Sequence, residues 1–296
     1  MSSTLKEKIL VPIGFTDQSI LALQQAVIVA KHTNSELFLL SVVEMPSVLQ
    51  KLFSDYEDQQ KVFKDKVRKN LNQLVEQYCQ GIEEVECMVV SGKIYEKIVE
   101  TADMINASLI FMGTDGTPKD IKKKFIGSNA YNTVRLSSCP VVTIKGKEIK
   151  NQCKVIALPL DLNKETREKV TYAIKFARLF DSEVKIYSVT YDSDDDSVKN
   201  KLKRNLSQVN DFIQSAGIQC SMEYIEIDSS ASFSNSILNH ANEINADFMM
   251  IMTKDESNIE VNFLGSVAQK IINKSDIPVM SIQPSSKKDT TSFTIQ

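Results

Sequence analysis

Three glycines and a serine are the residues best suited to hold an anion: Gly113, Gly116, Gly127 and Ser128, spaced Gly-x2-Gly-x10-Gly-Ser. They lie in FMGTDGTPKDIKKKFIGSNAYNTV, Phe111 to Val134. Glycine has no Cβ, so its backbone N–H can approach a phosphate oxygen closely. Gly127-Ser128-Asn129 stands where a helix is expected to start, and a helix start presents free N–H groups and a positive dipole end. Ser128 adds a hydroxyl donor. The spacing is neither a Walker A loop nor the GxGxxG of dinucleotide enzymes. From these residues alone a phosphate cradle and an ordinary strand-to-helix turn both remain open. Lys119, Lys122, Lys123 and Lys124 fit either reading, as phosphate clamps or as a solvated face.

The elements that must position these residues are readable from periodicity. KILVPI is a short apolar run suited to a strand buried on both faces. Asp17 and Ser19 are candidate N-caps for a helix whose core stripe is Ile20, Leu23, Val27 and Ala30. ELFLLSVV reads as strand two, VECMVV as strand three, SLIFMG as strand four and PVVTI as strand five. Val67, Leu71, Leu74 and Tyr78 mark one intervening helix, ended near Gly81. Ile94, Ile98, Ala102 and Ile105 mark another. The segment MPSVLQKLFSDYED reads as a partly helical excursion. Strands alternating with helices imply a mostly parallel, doubly wound sheet. Ligands in such sheets sit beyond the carboxyl ends of the strands, which is where Met112-Gly113 leads.

The chain then repeats. The segment from Ile9 aligns without a gap on the segment from Ile156, with Pro12 opposite Pro159, Ala26 opposite Ala173 and Ala30 opposite Ala177. FIGSNAYNTVRLSSCPVVTI aligns on FLGSVAQKIINKSDIPVMSI, with Gly127 opposite Gly265 and Pro140 opposite Pro278. A unit this long is a domain duplication, since solenoid repeats are shorter. The expected units are 1–147 and 152–284, joined near KGKEIKNQ and followed by a polar tail, 285–296.

ILVP, then SGKIYEKIVETADMINASLIFMGTDG, then GSNAYNTVRLSSCPVV, all in order, resemble the universal stress protein family, and the duplication resembles its tandem type. The resemblance implies two tandem doubly wound, five-stranded parallel α/β domains of the adenine nucleotide α-hydrolase type, packed as a pseudo-dimer. The terminal strands VVTI and VMSI are then the candidates for the contact. It also implies that Gly113, Gly116, Gly127, Ser128 and Asn129 correspond to a phosphate- and ribose-binding loop. Pro12, Ile13, Val42 and Met112 correspond to an adenine and ribose pocket. The implied ligand is ATP or AMP/ADP in the N-terminal unit, with Mg accompanying ATP. The chain departs from the family pattern twice. Gly14 stands where nucleotide-binding relatives carry an aspartate. In the second half Asp161 keeps that acid, but Met252 and Asp255 replace the first two glycines, and Asp255 or Glu256 would repel a phosphate. The second half therefore reads as a decayed or structural copy.

Composition narrows the function classes. A net charge of -3 gives no general pull towards nucleic acid or an anionic membrane. No apolar run approaches the roughly 18 residues of a membrane span, and the start MSSTLKEKILVPIG has no secretory core. Five scattered cysteines and two distant histidines form neither a disulfide framework nor a zinc site, which fits a cytoplasmic protein with reduced thiols. Cys139, just before strand five, is expected to be buried and inert. YDSDDDSVKNKLKRN lacks the glycine and distal glutamate of a calcium loop and reads as an acidic lead-in to a helix. No nucleophile–base pair or metal cluster emerges, and only Asp115 and Asp120 lie near the loop for an enzyme reading. Three readings follow: a nucleotide-binding stress regulator that self-associates or meets a protein partner; a nucleotide-free interaction or scaffold protein; and, weakest, a nucleotidyl-transfer or hydrolase enzyme.

Overall fold

A computed structural model of the chain describes residues 6–44, 56–114, 127–145, 152–161, 166–253 and 264–284. The first half runs β1 (Lys8–Pro12), α1 (Asp17–Thr33), β2 (Glu36–Val43), α2 (Tyr56–Tyr78), β3 (Val85–Ser91), α3 (Ile94–Ile105), β4 (Leu109–Gly113), α4 (Ser128–Leu136) and β5 (Val141–Ile144). The second half repeats the order: β6 (Val155–Pro159), α5 (Thr166–Phe180), β7 (Glu183–Tyr191), α6 (Asp196–Ser215), β8 (Cys220–Ile227), α7 (Phe233–Glu243), β9 (Phe248–Met252), α8 (Ser266–Lys274) and β10 (Val279–Ile282). Five features expected from the sequence lie outside the described residues: most of the excursion after β2, Gly116 with the lysines and aspartates beside it, most of the joining segment KGKEIKNQ, Asp255 and Glu256, and the tail.

All ten strands form one sheet, in the order β3-β2-β1-β4-β5-β10-β9-β6-β7-β8. Every neighbouring pair is parallel except β5 and β10, which are antiparallel. The expected pairing of VVTI with VMSI is thus the joint of the molecule. Its register sets Val142 opposite Met280, with Thr143 on Val279 and Val141 on Ser281. Val142 and Met280 are each other's counterparts in the repeat, so a local two-fold axis passes through that pair. This is the arrangement of an isologous dimer, made within one chain. The Thr143 hydroxyl donates to the Val279 carbonyl at 3.3 Å, and Gln283 Nε2 donates to the Val134 carbonyl at 2.9 Å. On one face His32 of α1 lies 4.7 Å from the Phe180 ring of α5, centroid to centroid.

Strand side chains alternate between faces, and both faces are apolar. Ile9, Val11, Leu37, Leu39, Phe111 and Val142 face α1 and α2, and their cluster runs on into Ile156, Leu158, Val184 and Met280 beneath α5 and α6. Leu10, Leu40, Ile110 and Met112 face α3 and α4, continuous with Ala157, Met249 and Ile251 beneath α7 and α8. Each half therefore shares both of its cores with the other. The stripe read for α2 holds: Val67 and Leu71 are buried, and Leu74 and Tyr78 pack on the cluster. Gly81 lies in the turn beyond that helix with φ +83°, where a glycine is favoured.

The start of α1 differs from expectation. The cap is Thr16, whose hydroxyl accepts from the Ser19 N–H at 3.2 Å, while the Ser19 hydroxyl accepts from the Thr16 N–H at 3.0 Å. Ser19 thus belongs to a reciprocal capping box, and Asp17 sits in the first turn near the positive dipole end. This turn also comes very close to β4. A Cβ built on Gly113 would stand 2.7 Å from Gln18 Cβ and 2.8 Å from the Gln18 carbonyl carbon. Gln18 cannot swing away freely, because its Nε2 donates to the Lys145 carbonyl at 2.7 Å.

Three substitutions have outcomes that follow from this packing. Gly113→Ala should lower stability by about 1–3 kcal/mol through overpacking. Gly14→Ala, with nothing within 4 Å of its added Cβ, should stay within about 0.5 kcal/mol; paired urea titrations read both. Met280→Ala at the wholly buried joint should cost about 2–5 kcal/mol. Amides of β1 and of β7 should then lose hydrogen-exchange protection together; loss confined to the second half would contradict a shared core.

Candidate functional site

In each half the strand order reverses direction at one place, between β1 and β4 and between β6 and β9, and the crevice beyond the carboxyl ends of those strands is where such sheets hold ligands. In the first half β1 ends at Pro12 and the chain continues through Ile13, whose N–H donates to the Leu40 carbonyl at 2.7 Å. Val42 is two residues further along β2, and Met112 and Gly113 close β4. The Thr114 N–H donates to the Ile144 carbonyl at 3.0 Å, and the Gly127 N–H to the Thr114 carbonyl at 2.8 Å. These bonds bring the beginning of α4 back onto the end of β4 however the intervening chain runs. Pro12, Ile13, Val42, Met112, Gly113, Gly127, Ser128 and Asn129 are therefore gathered at one edge of three adjacent strands.

Gly127 is the N-cap of α4 with ordinary backbone angles, φ -56° and ψ 144°. As a glycine it brings no side chain of its own to cap the helix, and no acidic residue stands in the first turn. Such a helix start retains N–H groups and a positive dipole end for an anion. Ser128 is exposed beside it. Gly14 is exposed, with open space around it among the described residues, so nothing in their packing demands a glycine there. Next to it Phe15 holds φ +56° and is 41% exposed. A bulky residue in that conformation is strained, and the strain sits on the rim of the crevice. Gly113 has a structural reason to be glycine, the approach of Gln18, that holds with or without a ligand.

The second half repeats the same scaffold bond for bond. The Leu160 N–H donates to the Tyr187 carbonyl at 2.7 Å, Thr253 N–H to Ile282 at 2.9 Å, and Gly265 N–H to Thr253 at 2.9 Å. Gly265 caps α8 with φ -54° and ψ 142°, again without a side-chain cap. The loss of the first two glycines has not collapsed this edge. It holds a cavity of about 270 Å³, walled by Val189, Ile237, Ile251 and Ala268 and reached by Asp161, Met252 and Lys169. Lys169 is only 2% exposed, and its Nζ donates to the Pro159 carbonyl at 2.5 Å. Burial pushes its pKa down, and the nearby Asp161 carboxylate opposes that shift. Its counterpart in the first half is Ala22, wholly buried. Reading the second half as a decayed copy passed over this lysine. A signal was present: Lys169 is four residues before Ala173, on the stripe that α5 buries.

The remaining candidates take structural roles. The Cys139 thiol is buried and burial pushes its pKa up. His240 is buried against the Tyr187 ring, 4.5 Å between centroids, with Glu223 and Glu243 each 3.5 Å away. The acidic lead-in to α6 closes as a turn in which Asp194 accepts from the Tyr191 N–H at 2.9 Å. Among the described residues no three His, Cys, Asp or Glu side chains converge as metal ligands, and no helix is long and apolar enough to cross a membrane.

A buried ammonium held down by desolvation gives a signed pH effect. The folded state resists protonation of Lys169, whereas the unfolded chain protonates it below lysine's ordinary 10.5. The destabilisation is complete below the depressed folded pKa and fades as pH rises to 10.5. Lys169→Met should therefore raise the thermal midpoint by a few degrees at pH 7, with the gain shrinking towards pH 10. Calorimetric scans across that range check the sign.

Comparison with known proteins agrees with this architecture. The family model described as the universal stress protein family matches residues 6–145 and 230–283. A universal stress protein of Methanocaldococcus jannaschii is 26% identical over 142 residues, covering 48% of this chain and 83% of the relative. Among solved structures, a universal stress protein from Archaeoglobus fulgidus superposes with a TM-score of 0.73 at 20% identity, over 94% of this chain and 97% of that one. A putative universal stress protein from Pseudomonas aeruginosa gives 0.67 at 16% identity, over 95% and 94%. With matched residues in both halves of a duplicated α/β chain, the protein belongs to the universal stress protein family and carries its unit twice in tandem.

Proposed function

We propose that this protein is a stress-response regulator that binds ATP or another adenine nucleotide, ADP or AMP, in its N-terminal half and has no dedicated catalysis. The units are taken as 1–147 and 152–284, with 285–296 as a polar tail. The observation that carries the reading is the start of α4: an N-terminus with no side-chain cap, tied by Gly127 to Thr114 at the edge of the β1–β4 crevice. Phosphates would rest on Gly127, Ser128 and Asn129 and on the loop that contains Gly116. The base and ribose would lie against Pro12, Ile13, Val42 and Met112. Gly113 serves this site by admitting α1 close to β4. Mg would arrive on the ATP phosphates, since magnesium keeps much of its water and takes few protein ligands. The five cysteines form no disulfide, which supports a reducing, cytoplasmic setting. A nucleotide in the crevice would shift the protein's conformation or its choice of protein partner.

Gly14 favours a second reading, a nucleotide-free interaction or scaffold protein, because the acidic contact to the nucleoside is missing. One pair of variants separates the two. Gly127→Asp puts a residue well suited to an N-cap where it repels phosphate, so α4 should remain folded while nucleotide is lost. Gly14→Asp fits the open space and should strengthen nucleoside binding. Protein purified without added nucleotide would be denatured, filtered and assayed by mass spectrometry, then titrated with ATP, ADP and AMP. Adenine nucleotide bound by the native chain and by Gly14→Asp, and weakened at least about tenfold in Gly127→Asp, is expected. Failure of every nucleotide to bind at millimolar concentration would favour the scaffold.

A further inference from the structure

The cavity at the carboxyl edge of the second half has a composition that the first half does not share. Its walls are apolar side chains from both β-strands and helices: Val189, Phe233, Ile237, Ile251, Ala268 and Ile271. Lys169 enters from α5 on the opposite face of the sheet and passes its ammonium over the end of β6 to the Pro159 carbonyl, 2.5 Å away. Among the described residues lining the cavity it is the only lysine or arginine, and it is almost completely buried. That carbonyl is its hydrogen-bond partner among the described residues, and an ammonium has three donors. The α8 N-terminus, with no acid in its first turn, opens on the same space through Gly265, Val267 and Ala268. Among the described residues the charge at this edge is thus one buried cation and one helix dipole, offset by the exposed Asp161.

We propose that this cavity is a binding site for a small organic monocarboxylate, with its apolar body against α7 and α8 and its carboxylate on Lys169 and the α8 N-terminus. Three observations select that class. The volume of about 270 Å³ falls below the roughly 300–1,000 Å³ usual for ligand pockets, which suits a compact ring or short chain better than a nucleotide. Met252 rather than glycine occupies the place of Gly113 among the residues lining the cavity, so the close backbone approach that suits a polyphosphate is not kept at that position. A single buried cation beside Asp161 balances one negative charge better than several. A carboxylate also relieves the burial of Lys169, because an anion at the ammonium adds to the effect of Asp161 against desolvation. The lysine, costly to an empty fold, is then accounted for by what it holds.

The two halves carry separate reporters, which makes the test independent of the nucleotide reading. Met252 lines the second cavity, and Met112 closes β4 in the first half. The full chain would be labelled with ¹³C-methyl methionine, and the two signals assigned with Met252→Leu and Met112→Leu. Benzoate and hexanoate would then be titrated, with benzyl alcohol and hexanol as uncharged bodies of the same shapes and AMP as the nucleotide probe. At least one carboxylate should move the Met252 signal and leave Met112 in place, with its alcohol at least about tenfold weaker. Lys169→Met should erase the preference of carboxylate over alcohol. Val267→Phe, placed on the partly exposed first turn of α8, should block both and serves if the lysine variant does not fold. The proposal is overturned if neither carboxylate shifts Met252 up to about 10 mM, if the alcohols bind as well, if Lys169→Met keeps the preference, or if AMP moves Met252 more tightly than the carboxylates do.

Discussion

The antiparallel pairing of β5 with β10 is the interaction on which the rest of the molecule depends. Each half alone is a five-stranded sheet whose fifth strand is four residues long and buried throughout. Left unpaired, such a strand would expose a row of backbone donors and acceptors flanked by apolar side chains, an invitation to aggregate. Pairing the two removes both edges at once and makes the apolar layers continuous. The outer edges of the ten-stranded sheet are β3 and β8, whose residues are mostly half-buried or exposed and tolerate water.

That constraint explains how the halves have diverged. Both must keep the sheet, the joint and the bonds that return α4 to β4 and α8 to β9, because stability of each runs through the other. Side chains inside the crevices are less bound by it. Ala22 has become Lys169, Gly113 has become Met252 and Gly14 faces Asp161, all without disturbing hydrogen bonds that match to about 0.1 Å between halves. A duplicated unit whose backbone is held in common can change its chemistry one side chain at a time.

Much of the fold was readable in the sequence because strands buried on both faces are unbroken apolar runs: ELFLLSVV coincides with β2 from end to end. The capped start of α1 was read less well, since Thr16, Asp17 and Ser19 are all good capping residues within four positions and only geometry separates cap from capping-box partner. Glycine posed the same difficulty at the site. One residue type answers two demands, room for a ligand and room for a neighbouring helix, and Gly113 proved to answer the second through Gln18, which lies far from it in sequence. Lys169 was missed because lysine is usually a surface residue. Its position on a buried stripe outweighs its type, and that shows only when the stripe is followed residue by residue.

The joint has one more consequence. Strands within a half are parallel, and the halves meet antiparallel, so the carboxyl ends of the first five strands and of the last five point to opposite sides of the molecule. The two crevices therefore open back to back. A single partner lying on one side cannot cover both, and what occupies one cannot touch what occupies the other. Coupling between them runs through the strand pair centred on Val142 and Met280 and through the two apolar layers that cross it, so the chain presents two opposite faces joined by one continuous spine.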